Sequence, residues 1–277
     1  EWENELVKKV RELGSKLIAF RSTIDKYSNL SEEDYSKLFL YLFYDGIDNL
    51  KNFLKLCMRL AGIEVSYIEE PRENPWNGIY HPKRGTYLNL KDYLSDYPFK
   101  RLVGLLFYRD KYLFKELDHI NRLISALEEK GLGVIPVFTN HFSNPDLNSP
   151  GVEDAIRKYF LLNGKPLIHV LISTLYFKTV QEISVLRELG VPVIHAIELW
   201  RTSPKQWLED EKGLNPVQVT ICVVWPEMSG DINPTVYSGQ VVKDNRFLPQ
   251  FIEERVNKVV EGVEKWVKLR EKSISER

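Results

Sequence analysis

LVGLLFY, at residues 102–108, is an uninterrupted apolar run. Three similar runs follow it along the chain: GVIPVF (133–138), LIHVLIS (167–173) and VPVIHAI (191–197). The stretches between the runs carry apolar residues at the spacing of amphipathic helices, over 117–130, 152–162 and 180–189. Apolar strands that alternate with helices are typical of a parallel sheet covered on both faces. The sequence therefore predicts an α/β domain over 101–200, an open, doubly wound, flavodoxin- or Rossmann-like fold with a mostly parallel sheet.

The flanking segments differ from this domain in their residue patterns. Residues 1–66 are predicted to be helical, with helices over 3–27, from Ser31 through 43, and over 47–61. Residues 67–100 combine prolines, glycines and aromatic residues, which predicts an irregular connection that packs against the rest of the chain. A strand–loop segment is predicted over 201–247, and a C-terminal helix over 248–277.

The segment LNPVQVTICVVWPEMSGDINPTVYSG, at 214–239, joins an apolar run to a turn rich in small and polar residues. The run over 217–225 predicts a buried strand that opens at Pro226 and Glu227. A carboxylate at the end of such a strand is held rigidly and reaches substrate through the loop. Spacing alone also allows Glu227 to be a solvated loop acid.

Polar and aromatic residues follow the predicted strands. Because the carboxyl ends of parallel strands meet at one edge of a sheet, ligands gather there. We predict that this edge lines a substrate cleft built from Tyr108, Arg109, Asn140, Thr174 and Trp200. Asp110, His141 and Glu198 follow the same strands. Taken one at a time, each of these residues is equally typical of an ordinary loop.

Composition excludes several classes of function. The 277 residues carry a net charge of -1, which gives no electrostatic case for a nucleic acid or an anionic membrane as partner. No apolar run is long enough to span a bilayer, and the charged start does not resemble a signal peptide. Cys57 and Cys222 lie in apolar segments, as buried thiols of a reducing compartment do. The sequence predicts a cytoplasmic protein, and its first residue, Glu1, suggests a piece of a longer polypeptide.

Several catalytic motifs are missing from the sequence. The chain has no GxxxxGK[ST] and no GxGxxG after a strand, so no nucleotide site is predicted. It has no CxxC or HExxH that would indicate zinc, and no GxSxG nucleophile.

Eight segments of residues 40–270 form an ordered set: YLFYDGIDNLKNFLKLCMRLAG, GIYHP, VGLLFYR, HINRLISALEEKGLGVIPVF, GVPV, GLNPVQV, PEMSGDINPTVYSG and ERVNKVVEGVEKWVKLR. In this order they resemble the large subunits of cobaltochelatase (CobN) and magnesium chelatase (the H subunit). The resemblance implies a subunit that binds a tetrapyrrole, either a corrinoid or a porphyrin, and inserts a divalent metal. It also implies that separate AAA+ motor subunits hydrolyse ATP, which agrees with the missing nucleotide motif. Family chains are several times longer than this one.

The resemblance gives two residues a chemical role. Metal insertion removes two pyrrole protons and strips water from a cation, and a carboxylate can serve both steps. Glu227 occupies the position of the family's PExDG-type acid, although Ser229 stands where the family commonly has Asp. His81 matches the family's HP motif and could bind metal, accept a proton or hold its loop. Glu227 and His81 are therefore the predicted catalytic and metal-handling residues.

Three functions are open at this point. The first is insertion of cobalt into a corrin precursor during cobalamin biosynthesis. The second is insertion of magnesium into protoporphyrin IX by an H-subunit homologue. The third is a small-molecule-binding α/β domain that performs no chemistry. The aromatic residues of 76–97, with Trp200 and Trp225, would suit a flat macrocycle and would equally suit core packing.

Overall fold

The computed structural model of the chain describes residues 5, 8–10, 12–17, 29–95, 97–145, 148–176 and 180–272. The chain divides into two compact units, Glu1–Asn74 and Pro75–Arg277. Among the described residues, no helix combines the length and the apolar character that crossing a membrane requires.

The first unit contains a pair of helices, α1 (Glu32–Tyr44) and α2 (Ile47–Leu60). Ser31 caps α1, because its hydroxyl oxygen accepts a hydrogen bond from the backbone N–H of Asp34 at 3.1 Å. This confirms the helix start predicted at Ser31. A small core of Leu38, Tyr41 and Leu56 joins the two helices.

The helix predicted over 3–27 ends earlier than expected. The described residues are helical up to residue 12, and a turn follows at Leu13 and Gly14. Gly14 has a φ of 65°, in the left-handed region that glycine adopts without strain. Residues 18–28 lie outside the described part of the chain, so the structure does not test the rest of that prediction.

The second unit is built on an eight-stranded sheet with five parallel strands at its centre. The parallel strands are β3 (Leu102–Tyr108), β4 (Gly133–Thr139), β7 (Val170–Ser173), β8 (Val193–Glu198) and β9 (Asp231–Lys243). If these five strands are numbered 1 to 5 along the chain, their order across the sheet is 2-1-3-4-5, which is the flavodoxin-like arrangement. The predicted fold class is confirmed.

Antiparallel strands extend the sheet at both edges: β1 (Asn77–His81) and β2 (Gly85–Tyr87) beside β4, and β10 (Arg246–Phe251) beside β9. The full order across the sheet is β10-β9-β8-β7-β3-β4-β1-β2. A separate two-stranded sheet pairs β5 (Leu161–Leu162) with β6 (Lys165–Pro166).

Helices cover both faces of the large sheet. The helices of this unit are α3 (Leu90–Ser95), α4 (Arg109–Leu113), α5 (Asp118–Glu129), α6 (Val152–Phe160), α7 (Val180–Leu189), α8 (Pro204–Glu209), α9 (216–228) and α10 (Glu253–Glu271). Alternate residues of β3 point to opposite faces. Val103 and Leu105 join the core under α5 and α10, whereas Leu102 and Leu106 join the core under α6 and α7.

Two predicted segments need correction. Residues 67–100 are not irregular throughout, since they contain the β1–β2 hairpin and α3. The predicted strand over 217–225 is wrong, because these residues belong to the helical segment α9. That segment runs through Pro216–Val219, a π-helical turn at Thr220–Val224, and Trp225–Met228. The strand of this region is β9, which follows α9.

Local signals explain why 216–228 is helical. Asn215 accepts a hydrogen bond from the N–H of Gln218 at 2.9 Å, and Pro216 occupies the first turn. Further on, Pro226 has no N–H to donate to a carbonyl one turn back. The N–H of Trp225 donates instead to the carbonyl of Thr220, five residues earlier, and this widens the helix into a π turn.

The last segments are partly as predicted. The C-terminal helix predicted over 248–277 is present as α10, and it is preceded by β10, which the sequence did not indicate.

Candidate active site

An aromatic row lies along the carboxyl edge of the parallel strands. We define the aromatic row as His141, Tyr108, Tyr176 and Trp200. Successive ring centroids along it are 6.1, 6.1 and 5.6 Å apart. The hydroxyl oxygen of Tyr108 accepts a hydrogen bond from the backbone N–H of Tyr176 at 3.1 Å. The structure thus brings Tyr108 and Trp200, two of the predicted substrate-binding residues, to the same edge of the sheet.

The other three predicted substrate-binding residues at this edge use their polar groups inside the protein. Buried Arg109 donates to the carbonyl of Pro75 at 2.7 Å, and its guanidinium lies 4.5 Å from the ring centroid of Trp76. Thr174 is buried and donates to the carbonyl of Leu106 at 3.2 Å. Asn140 donates to the hydroxyl of Ser149 at 3.1 Å. These contacts position the loops, and a direct substrate contact from these three residues stays a prediction.

A buried ionic network lies beneath the same edge and centres on Glu198. The Nζ of Lys111 is 2.8 Å from Oε1 of Glu198, and Nε2 of His119 is 3.2 Å from Oε2. Burial alone would raise the pKa of the Glu198 carboxyl. His119 and Lys111 outweigh that effect and lower the pKa to about 2. The carboxylate therefore stays ionised well into the acid range and holds α4, α5 and β8 together.

Four of the five histidines face a carboxylate, a feature that the sequence did not reveal. The pairs are His81–Glu128 at 3.0 Å, His119–Glu198 at 3.2 Å, His195–Asp231 at 3.4 Å and His141–Glu182 at 3.7 Å. The partners are far apart in sequence, 47 residues in the case of His81 and Glu128. No spacing motif can link such residues before the fold is known.

His81 is buried and contacts Glu128 inside the protein. Its side chain is 2% exposed, and Tyr97 donates to the same Glu128 oxygen that faces the imidazole, at 2.8 Å. Burial lowers the pKa of His81 below its ordinary value, although Glu128 opposes this effect. The geometry supports the third of its predicted roles, holding the loop. Metal binding or proton transfer by His81 stays a prediction.

Glu227 lies at the amino edge of the sheet, opposite the aromatic row. Helix α9 starts near the carboxyl edge, where Gln218 donates to the hydroxyl of Thr202 at 3.3 Å. It ends just before Asp231, which pairs with Val193 at the start of β8. The six residues of β8 span about 17 Å from the first to the last, at ~3.3 Å per residue step. Glu227 and the aromatic row therefore lie at opposite edges of the sheet.

The end of α9 is open to solvent. Glu227 is exposed, and its neighbours Trp225 and Met228 are 43% and 80% exposed. Glu227 and His81 are also well separated, because β9 and β1 are five strand positions apart, about 24 Å at ~4.8 Å per strand. The two residues cannot bind one metal ion together. Among the described residues, no three or more His, Cys, Asp or Glu side chains form a group that could hold a metal ion.

Comparison with known proteins finds one matching family model and several similar proteins. The family model described as CobN/Magnesium Chelatase matches residues 39–277. An uncharacterized protein of Methanocaldococcus jannaschii is 33% identical over 89% of this chain and 20% of its own length. The chloroplastic magnesium-chelatase subunit ChlH of Oryza sativa subsp. indica is 28% identical over 83% of the chain and 18% of its own length.

The fold also matches a solved structure, that of the catalytic subunit of cobaltochelatase from Mycobacterium tuberculosis. The TM-score is 0.66 at 18% identity, over 96% of this chain and 22% of that one. The chain thus spans about a fifth of the length of the relatives that it matches.

Proposed function

Because the chain belongs to the CobN/magnesium chelatase family, we propose that it forms part of a large chelatase subunit that binds a tetrapyrrole and inserts a divalent metal. The observation that carries this proposal is the family match over 39–277, which includes the whole second unit. Since the chain spans about a fifth of its relatives' length, the proposal gives it one wall of the substrate cleft.

The exposed end of α9 is the surface that we assign to the tetrapyrrole. A flat macrocycle packs well on an exposed aromatic ring and a thioether, and Trp225 and Met228 supply these groups on either side of Glu227. The Glu227 carboxylate would accept a pyrrole proton and would bind the incoming cation transiently. The carboxyl edge is less suited to this role, because many of its polar groups are engaged inside the protein.

Two substrates fit the family equally at the level of chemistry. We propose cobalt insertion into a corrin precursor as the first candidate and magnesium insertion into protoporphyrin IX as the second. A cobaltochelatase and a magnesium chelatase are each among the matched proteins. ATP hydrolysis by separate AAA+ subunits, and a cytoplasmic location, belong to the same proposal.

A binding titration tests the assignment. We expect the chain to bind either a metal-free corrinoid or deuteroporphyrin IX, with saturable quenching of tryptophan fluorescence. Trp225→Ala should weaken this binding about tenfold, because the variant loses the stacking and apolar burial of one aromatic face. Trp200→Ala tests the cleft that the sequence predicts at the carboxyl edge, and it should leave the affinity unchanged if the macrocycle lies on the end of α9.

The titration has two contradicting outcomes. If neither tetrapyrrole binds, the chain has no tetrapyrrole surface of its own and the proposal is wrong for this part of the subunit. If Trp200→Ala weakens binding and Trp225→Ala does not, the macrocycle lies at the carboxyl edge. Preference for the corrinoid would support cobalt, and preference for the porphyrin would support magnesium.

A further inference from the structure

A groove of about 410 Å³ lies between the start of β9 and α10. Asn233 and Thr235 line it from the strand, and Lys258, Gly262, Lys265 and Trp266 line it from the helix. The pairing of β8 and β9 shifts register beside the groove, between Ile194 and Ala196. Asn233 has a φ of 52°, in the left-handed region. Such irregularities re-aim side chains and are common beside binding sites.

Gly262 is not required by the packing of the protein. A Cβ atom built there would meet Nδ2 of Asn233 at 3.6 Å and Cδ1 of Ile194 at 3.8 Å, which are ordinary van der Waals distances. Glycine inside a helix is less favourable than alanine. Because Gly262 lines the groove, a side chain at this position would occupy part of it. The glycine keeps the groove open at a cost in helix stability.

The charges along the groove favour an acidic partner. Lys258 and Lys265 are exposed and lie seven residues apart on α10, about 10.5 Å along the helix. In the part of the chain that the structure describes, neither ammonium group is paired with a carboxylate, whereas Lys268 nearby is 3.8 Å from Glu264. Glu261 also lines the groove, so the two lysines outnumber the acid.

The groove also has an apolar part. The half-buried Trp266 supplies its exposed surface, the buried Ile194 and Val259 also line the groove, and together they suit one aliphatic side chain. In an extended peptide, residues i, i+2 and i+4 point to the same side and span about 13 Å. Two carboxylates at i and i+4 are within reach of the flexible lysine side chains, and an apolar residue at i+2 faces the pocket.

We infer that this groove binds an extended acidic peptide segment in which an aliphatic residue lies between two carboxylates. The groove residues differ from those that we assign to the tetrapyrrole. The groove is on the α10 face of the sheet, whereas the exposed end of α9 carries Trp225 and Glu227.

Fluorescence anisotropy with a labelled peptide, Gly-Glu-Ser-Leu-Ser-Glu-Gly, tests the inference on the whole chain. We expect saturable binding that the double variant Lys258→Glu/Lys265→Glu weakens at least about tenfold, because the charge complementarity is reversed. Gly262→Leu fills the groove and should weaken binding by a similar factor. Lys268→Glu makes one such charge reversal on the same helix but outside the groove, and it should bind the peptide like the parent chain.

Circular dichroism of each variant controls for folding, and the exposed lysine variants keep the test informative if Gly262→Leu is unstable. A peptide with both Glu replaced by Lys should not bind. The inference is overturned if the acidic peptide does not bind the parent chain, or if the lysine double variant binds it with unchanged affinity. It is also overturned if Lys268→Glu weakens binding as strongly as the groove variants do.

Discussion

Glu198→Gln is expected to lower the free energy of unfolding of the second unit by about 3 kcal/mol. The substitution keeps the shape of the side chain but removes the negative charge from a buried site. Lys111 then loses the carboxylate at 2.8 Å and keeps the more distant Glu116, at 3.5 Å, and the neighbouring Asp110. His119 loses the carboxylate oxygen at 3.2 Å. Removing one member of a buried ion pair is costly because its partners stay desolvated.

Urea denaturation followed by tryptophan fluorescence measures this effect. Five of the six tryptophans lie in the second unit, so the signal reports mainly on that unit. Glu209→Gln is the matched control, because it removes a carboxylate whose ion pair with Lys205, at 3.9 Å, is exposed on both sides. The control should change the free energy of unfolding by less than about 1 kcal/mol. Equal effects of the two variants would show that the Glu198 network does not stabilise the fold.

The same substitution predicts a pH dependence. The pKa of Glu198 is about 2 in the folded chain and about 4.3 in an unfolded one. A carboxyl group whose pKa is lower in the folded chain stabilises the fold at pH values above its unfolded pKa. This contribution is lost as the pH falls through the folded pKa. The contribution of the Glu198 carboxylate to the stability difference between the parent chain and Glu198→Gln should therefore be fully present above about pH 5. It should shrink as the pH falls from about 4.3 towards 2, measured by denaturation at each pH.

The central strands could be predicted from the sequence because they are buried on both faces. The run LVGLLFY at 102–108 has no polar alternation and coincides with β3. By contrast, 217–225 also reads as a buried strand from its Val and Ile content, yet it is helical. The capping signal at Asn215 and Pro216, and the proline at 226, outweigh β-propensity there. The apolar pattern alone does not include these local helix-capping signals, and they decide that the segment is helical.

The candidate site residues also differ in how far the sequence alone could place them. Residues at strand ends, such as Tyr108 and Trp200, could be placed at one edge because parallel topology dictates it. The ionic network could not, since Lys111 and Glu198 are 87 residues apart and meet only through the fold. Glu227 was identified as a candidate through its match to a family motif. Its place at the amino edge depended on α9 being a helix, because a helix carries the chain back across the sheet.

Glu227→Gln is expected to lower the rate of metal insertion about 100-fold or more, measured in a full-length subunit that carries this domain, with its ATPase partners present. In our proposal the Glu227 carboxylate accepts a pyrrole proton and binds the cation transiently. The amide of glutamine does neither well. Tetrapyrrole affinity should change little, because Trp225 and Met228 supply the apolar contact and the substitution leaves them in place. The loss should therefore appear in kcat more than in KM.

Because Glu227 is exposed, this prediction separates a loss of chemistry from a loss of folding. An exposed carboxylate on the last turn of α9 is not needed for packing, so the variant should fold with unchanged stability. Glu211→Gln, an exposed acid in the turn that precedes α9, is the matched control and should insert metal at the parent rate. Insertion at the parent rate by Glu227→Gln would remove Glu227 from the chemistry. Loss of tetrapyrrole affinity without a change in kcat would instead make Glu227 a substrate-binding residue, which would contradict its role as proton acceptor.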